Sequence, residues 1–202
     1  MYKWTKVVVT SVVALSIVGC GGKVSYVDTQ DSVEYTSAGI DYHDIEAAVH
    51  KSVQSLLNSE YVMSLEKKQV LAISDVVNDT MQQVDVRGLT SKVARAMRKS
   101  GKFQLTNAIS GSGGQTDNMI YNARDLRDND EFNQYTTTEK GTLIAPNLSL
   151  SGIIVQKNTK VGKKQRVDYS FTLTLTNIKT GMVEWDENTH IIKVAPNSKV
   201  SW

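Results

Sequence analysis

His43, Glu46 and His50 fall at i, i+3 and i+7, nearly one face of a helix drawn through this stretch. Two imidazoles and a carboxylate are zinc-ligand chemistry. Two helical turns separate the histidines by about 10 Å, too far to share one ion without bending, so the trio reads as a solvated polar face. His190 stands alone on a strand and reads as packed or exposed. Ser110–Gln115 (S-G-S-G-G-Q) is glycine-rich and precedes a helix, but no Lys-Ser or Lys-Thr follows, so the phosphate-loop pattern fails. It reads as a plain loop, with a weak anion nest as the alternative. Glu184 and Asp186 point the same way from a strand, without the cleft and opposed placement that paired carboxylates need to cleave a glycoside. Two basic groups remain. Lys157, Lys160, Lys163, Lys164 and Arg166 crowd one hairpin, and Lys92, Arg95, Arg98, Lys99 and Lys102 line a helix opposite its apolar side. Each reads as solvated surface; the functional alternative is contact with anionic head groups, wall polymer or an acidic protein patch. These residues lead to no catalytic residue, no metal site and no cofactor.

Cys20 is the single cysteine. Met1–Lys6 carries Lys3 and Lys6 and no acid, and Val7–Val18 is an uncharged, mostly apolar run. That run is short of the roughly 20 residues a membrane span needs. A basic start, a short apolar core and small residues at the cut make a secretory signal. Ending in Ile17-Val18-Gly19-Cys20, it resembles a bacterial lipoprotein signal with its lipobox. The resemblance implies cleavage before Cys20 and acylation of its thiol, and Gly21 resembles the following residue of lipoproteins sorted to the outer membrane. The chain then divides into a signal peptide (1–19), a lipidated flexible tether (20–40) and a globular domain (41–202).

Removing residues 1–19 takes away Lys3 and Lys6 and no acid, so the formal net charge falls from +2 to 0. A nucleic-acid binder shows a basic excess, and this chain keeps none. With its only thiol acylated, the chain forms no internal disulfide, and the domain must hold by its core alone. The stretch after Cys20 has few large apolar residues and no helical period. Fully extended, its 20 residues (Gly21–Ile40) reach at most about 70 Å; as a coil they average roughly 25 Å.

These candidate groups must be positioned by eight elements. Ile45, Val49, Val53 and Leu56 predict a helix over Asp41–Asn58, capped by Asp41 or Asp44. Gln69–Val77 is a strand apolar on both faces, hence central and covered on each side, with Asn78-Asp79 breaking it. Val86, Leu89, Val93, Ala96 and Met97 predict a helix over Val86–Ser100, ended by Gly101. Lys102–Ala108 is a short strand. Thr116 or Asp117 caps a third helix to about Asn133, with Ile120, Ala123 and Leu126 on one face. Tyr135–Thr142 is polar and irregular. Three strands follow: Asn147–Gln156, with Leu148, Leu150, Gly152 and Ile154 on one face; Arg166–Thr176, alternating Val167, Tyr169, Phe171, Leu173 and Leu175 against a wet Thr-rich side; and Met182–Val194, with Val183 and Trp185 inward. Asn177–Gly181 is a hairpin connection with Gly in the left-handed position. The α-β-α-β-α-β-β-β order predicts one α+β layer fold.

Val70–Thr80 (V-L-A-I-S-D-V-V-N-D-T), Ser100–Leu105 (S-G-K-F-Q-L), Asn147–Ile153 (N-L-S-L-S-G-I) and Leu173–Trp185 (L-T-L-T-N-I-K-T-G-M-V-E-W), in that order and behind a lipobox, resemble the LpoB family of outer-membrane lipoprotein activators of penicillin-binding proteins. The resemblance covers roughly Gln69–Ile192. It implies a mixed β-sheet flanked by helices, similar to the amino-terminal domain of TolB. It also implies a location at the outer membrane facing the periplasm, no catalysis by the lipoprotein, and docking on a bifunctional peptidoglycan synthase of the class A penicillin-binding protein type. Its well-known members have a long Pro-rich tether, whereas this tether is short and lacks Pro; Gly111–Thr142 is also longer and more polar than in the family. Asn147, Ser149 and Ser151, near the wet end of the sheet, are the candidate partner contacts. The competing function is a structural or secretion-associated envelope lipoprotein that self-assembles through the same domain.

Overall fold

The computed structural model describes residues 37–197; the signal, Cys20 and the stretch up to residue 36 lie outside the described residues. Helix α1 (Tyr42–Leu57) starts with both predicted aspartates at once. The Asp41 carboxylate accepts the Asp44 N–H at 3.1 Å, and the Asp44 carboxylate accepts the Asp41 N–H at 2.8 Å. This reciprocal box satisfies two amides the helix leaves open. Ala48, Val49, Ser52, Val53 and Leu56 form its buried stripe. A single turn, α2 (Glu60–Met63), follows behind a Ser59 cap. The sequence gives no sign of it, because four residues are too few for a period to show.

Strand β1 (Gln69–Asp79) leads through the Asp85 cap into α3 (Val86–Lys99), which buries Leu89, Thr90, Val93 and Met97. Strand β2 (Phe103–Leu105), helix α4 (Met119–Asp125) and two 3-10 turns precede the long strands β3 (Leu148–Val161), β4 (Lys164–Asn177) and β5 (Val183–Pro196). Gly101 and Gly181 take φ of +74° and +72°, as the helix end and the hairpin require. The sheet order is β2-β1-β3-β4-β5, with β1 parallel to β2 and β3, and β3, β4 and β5 antiparallel. This is the expected α+β fold on a mixed sheet. Leu71, Ile73, Leu148, Leu150, Ile154, Phe171, Leu173 and Leu175 share one buried cluster with the stripes of α1 and α3. Both of these helices therefore cover the same face.

Several expectations change. Strand β1 is buried on both faces over Leu71–Ile73, where Ala72, on the side away from α1 and α3, is buried as well. Farther along it differs, because a bulge lies between Ile73 and Val76. Two residues, Ser74 and Asp75, lie there against Ser151 alone, so Val76 returns to the helix-covered face opposite Gly152 and Val77 turns outward, half exposed. Nor does Asn78-Asp79 break the strand: both pair with β3, opposite Ile154 and Val155. Strand β2 stops at Leu105 rather than Ala108. Helix α4 ends at Asp125, well before Asn133. Beyond Leu126 there is no apolar residue to extend its stripe until Phe132, and the Gln134 amide collects the carbonyls of Leu126, Asn129 and Phe132 at 3.3, 2.8 and 3.0 Å. That side chain holds the segment as a turn. Its predicted face, Ile120, Ala123 and Leu126, is half-buried. Strands β3, β4 and β5 each run past their predicted ends. Val183 is exposed, not inward, because the pairing shifts between Leu175–Trp185 and Thr176–Val183 and breaks the alternation there.

The end of the stretch read as tether is fixed to the domain. The Lys193 ammonium donates to the carbonyls of Ser37 and Gly39 at 3.1 and 2.7 Å. It also pairs with Asp41 at 2.8 Å and with Asp44. The Ile40 N–H donates to Gln82 at 2.9 Å.

Candidate functional site

The face of the sheet turned away from α1 and α3 is set by strand alternation alone. Each inward residue of β4 forces its neighbour outward, which lines up Ser149 with Thr176, Ser151 with Thr174, Ile153 with Thr172 and Val155 with Ser170. Strand β5 adds Asp186, Asn188 and His190 opposite Thr174, Thr172 and Ser170. The Ser170 hydroxyl donates to Asn188 at 2.7 Å. This surface offers mainly hydroxyls, with two half-buried aliphatics and the exposed Asp186 carboxylate toward the β5 edge.

Of the three residues expected to touch a partner, Ser149 and Ser151 lie on this face, half-buried. Asn147, just before β3, is exposed but bonded across to β1. Its amide oxygen accepts the Val70 N–H at 2.8 Å, its amide nitrogen donates to Gln69, and its own N–H donates to the Val70 carbonyl at 3.0 Å. Its side chain is tied into the junction where β1 and β3 begin.

The glycine-rich loop does more than a plain loop. Where β2 stops, it takes over the edge of β1. Gly111 and Gly113 donate to the carbonyls of Ile73 and Ser74 at 2.9 and 3.1 Å, and Ser112 donates to the Asp75 carboxylate at 2.7 Å. The N–H of Gly114 is turned inward to Gly111 at 3.1 Å. The four amides from Gly111 to Gly114 are thus all engaged within the protein. The Ser112 N–H and hydroxyl hold the Asp75 carboxyl below its usual range. A Cβ on Gly113 would sit 2.7 Å from the Ser74 carbonyl, so only glycine can come this close. Thr90 of α3 donates its hydroxyl to the Gly113 carbonyl. The sequence signal for this clasp was the glycine density; the bulge it braces had none.

Beside the clasp, a cleft of about 640 Å3 opens between α3 and the chain from Leu105 to Asn122. Ser91, Asn107, Gln115, Asn118 and Asn122 line it with hydroxyls and amides over Ile73 and Leu105. The zinc-like trio is not gathered: Glu46 binds Lys92 at 3.3 Å, and Lys92 lies 3.7 Å over the Tyr42 ring. His43 packs edge-on against Tyr42, and His190 is exposed. Glu184 accepts from the Asn177 amide at 2.9 Å. Lys102 of the helical basic stripe donates to the Leu65 carbonyl at 3.0 Å.

The family of the peptidoglycan-synthase activator LpoB matches residues 44–191. No curated protein matches the chain in sequence. Among solved structures, it is similar to the LpoB carboxy-terminal domain of Salmonella enterica (14% identity, 73% of this chain and 98% of that one, TM-score 0.44). The Escherichia coli domain is comparable (15%, 73% and 98%, 0.44). The lipoprotein GNA1162 of Neisseria meningitidis is more distant (10%, 66% and 87%, 0.33).

Proposed function

The chain belongs to the family of the peptidoglycan-synthase activator LpoB, and from that premise we propose that it is an outer-membrane lipoprotein that binds and activates a bifunctional peptidoglycan synthase, a class A penicillin-binding protein. Residues 1–19 are the signal, Cys20 carries the lipid, and the chain that follows tethers the domain on the periplasmic side. The domain regulates and performs no reaction itself. The observation that supports this most is the extent of the family match, which takes in nearly all of the described domain.

Activation needs only that the domain bind the active conformation of the synthase more tightly than the inactive one. The hydroxyl-bearing sheet face with Ser149 and Ser151 is the surface offered for this contact. The test is a glycan-polymerisation assay with a purified class A synthase and the chain from position 20 onward. A several-fold rise in synthase rate, with no turnover by the chain alone, is the expected result. No binding to any class A synthase tested would overturn the assignment. Replacing both Ser149 and Ser151 by Lys should weaken stimulation at least tenfold; an unchanged rise would move the contact elsewhere.

A further inference from the structure

The basic hairpin has no place in that reading, and its geometry is specific. Strands β3 and β4 continue past the core: the last buried side chain toward the tip is Val167, and Thr159–Arg166 contains none. The two-residue turn Gly162-Lys163 closes it, with Gly162 at φ +59°. Five cations and no acid fall within residues 157–166, in a chain whose formal charge from Cys20 on is zero. The remainder is therefore net acidic, and the hairpin is a local concentration of positive charge.

Cross-strand register places three rows on the side away from the helices: Lys157–Asp168–Ile192, Thr159–Arg166–Val194 and Val161–Lys164–Pro196. Val161, Ile192 and Val194 are 56, 60 and 58% exposed. Arg166 turns both Nε and Nη2 onto the Asp168 carboxylate, at 3.1 and 2.8 Å. Among the described residues Lys157, Lys160, Lys163 and Lys164 form no ion pair.

We propose that this face of the β3–β4 hairpin, with the adjoining end of β5, docks on an anionic phospholipid bilayer. Lysine heads meet lipid phosphates while branched aliphatics in the same rows enter the head-group boundary, a combination that gives both electrostatic and apolar attraction. An acidic polymer would satisfy the lysines and leave the aliphatic rows in water. The path of the chain fits the same orientation. Lys193 pairs with Val167 at the base of the arm and grips the carbonyls of Ser37 and Gly39, so the chain enters the domain at this end. A lipid on Cys20, as proposed above, brings this end to the membrane first.

The test uses the chain from position 20 with Cys20→Ser, so that no acyl group contributes, in co-sedimentation with vesicles. Binding to vesicles of about 30 mol % phosphatidylglycerol at about 0.05 M salt should exceed binding to pure phosphatidylcholine at least fiftyfold, and should vanish near 0.3 M salt. Changing Lys157, Lys163 and Lys164 together to Gln should abolish it. Changing Val161, Ile192 and Val194 to Ser should weaken it at least fivefold with the charge intact. Thermal unfolding of each variant confirms that it folds, and synthase stimulation in solution is scored separately, so either reading can fail alone. Equal binding to both vesicle types, or indifference to the lysine change, overturns the proposal. So does indifference to the serine changes together with full competition by soluble polyglutamate, which would mark a site for an acidic polymer.

Discussion

Two seams on one face of the same sheet are built from different chemistry. Helix α3 lies over β1 and β2 and contributes Leu89, Val93 and Met97 to a cluster with Leu71, Ile73 and Leu150. Helix α1 reaches that cluster with Val49, Val53 and Leu56, but it meets β5 through polar groups. Ser52 and Thr189 share a bond at 3.3 Å, the Ser55 hydroxyl donates to Glu187 at 2.8 Å, the Trp185 indole N–H donates to Ser55 at 3.3 Å, and Lys193 holds Asp41 and Asp44. Apolar contact is non-directional and tolerates small slides; a ladder of matched donors and acceptors does not. The α3 seam supplies stability, and the α1–β5 seam fixes the register of the edge strand and the point where the chain enters.

If that division is right, truncation on the apolar side is the most damaging. Leu71 of β1 is 0% exposed in the cluster with α3. Leu71→Ala should cost about 3–4 kcal/mol, read as a fall in urea midpoint at constant slope. A loss below about 1 kcal/mol would mean that the core collapses onto the gap and the apolar seam is not the tighter one.

Next in size is Lys193→Met, expected to cost about 2–3 kcal/mol, because it leaves two partly buried carboxylates without their cation. It also has a pH signature. Burial opposes the charge on Asp41, but the Lys193 and Asp44 bonds outweigh it and hold its carboxyl below the usual range. A carboxyl lowered in the folded state stabilises above its unfolded pKa of about 4 and loses that contribution as pH falls through the folded value. Wild type should therefore lose stability more steeply than the variant below about pH 4. Parallel acid limbs would remove Lys193 from the seam.

The apolar seam was legible in the sequence and the polar one was not, for a physical reason. A stripe of Leu89, Val93 and Met97 repeats, and so does the alternation of Val167 to Leu175, so period alone places both. Ser52, Thr189, Glu187 and Lys193 carry no such mark, since a polar residue looks the same whether it faces water or a partner 130 residues away. The same blindness extended the tether through Ser37–Ile40, which Lys193 and Gln82 hold to the domain. Bulges are the second limit. One at Ser74-Asp75 and one at Glu184 each insert a residue that breaks the two-residue period, and the second misplaced Val183. For the candidate site, alternation gave the faces of Ser149 and Ser151, whereas the side-chain bonds of Asn147 are long-range and left no trace.

Trp185 belongs to both seams and tests whether they are separable. Its ring packs against the apolar cluster while its N–H reaches Ser55, and it is half-buried rather than enclosed. Trp185→Ala should cost about 2 kcal/mol, under the 3–5 typical of a buried aromatic. Trp185→Phe should restore most of it. A Phe variant as weak as Ala would show that the indole hydrogen bond, not the ring, holds this corner.

The smallest effect probes the polar seam most directly. Ser52 and Thr189 are 0% and 5% exposed, and their hydroxyls have each other as partner. Ser52→Ala alone strands the Thr189 hydroxyl, and Thr189→Val alone strands that of Ser52; each should cost about 1 kcal/mol. Removing both leaves no buried group unsatisfied and keeps the shape, so the double variant should lose less than either single one, with a coupling between about 1 and 2 kcal/mol. Losses that simply add would mean each hydroxyl finds another partner, and the seam would be polar without being matched. Full recovery has a further consequence, because α1 and β5 would then stay together while losing the feature that sets their register. Hydrogen exchange along β5 should rise in the double variant even where its urea midpoint does not fall.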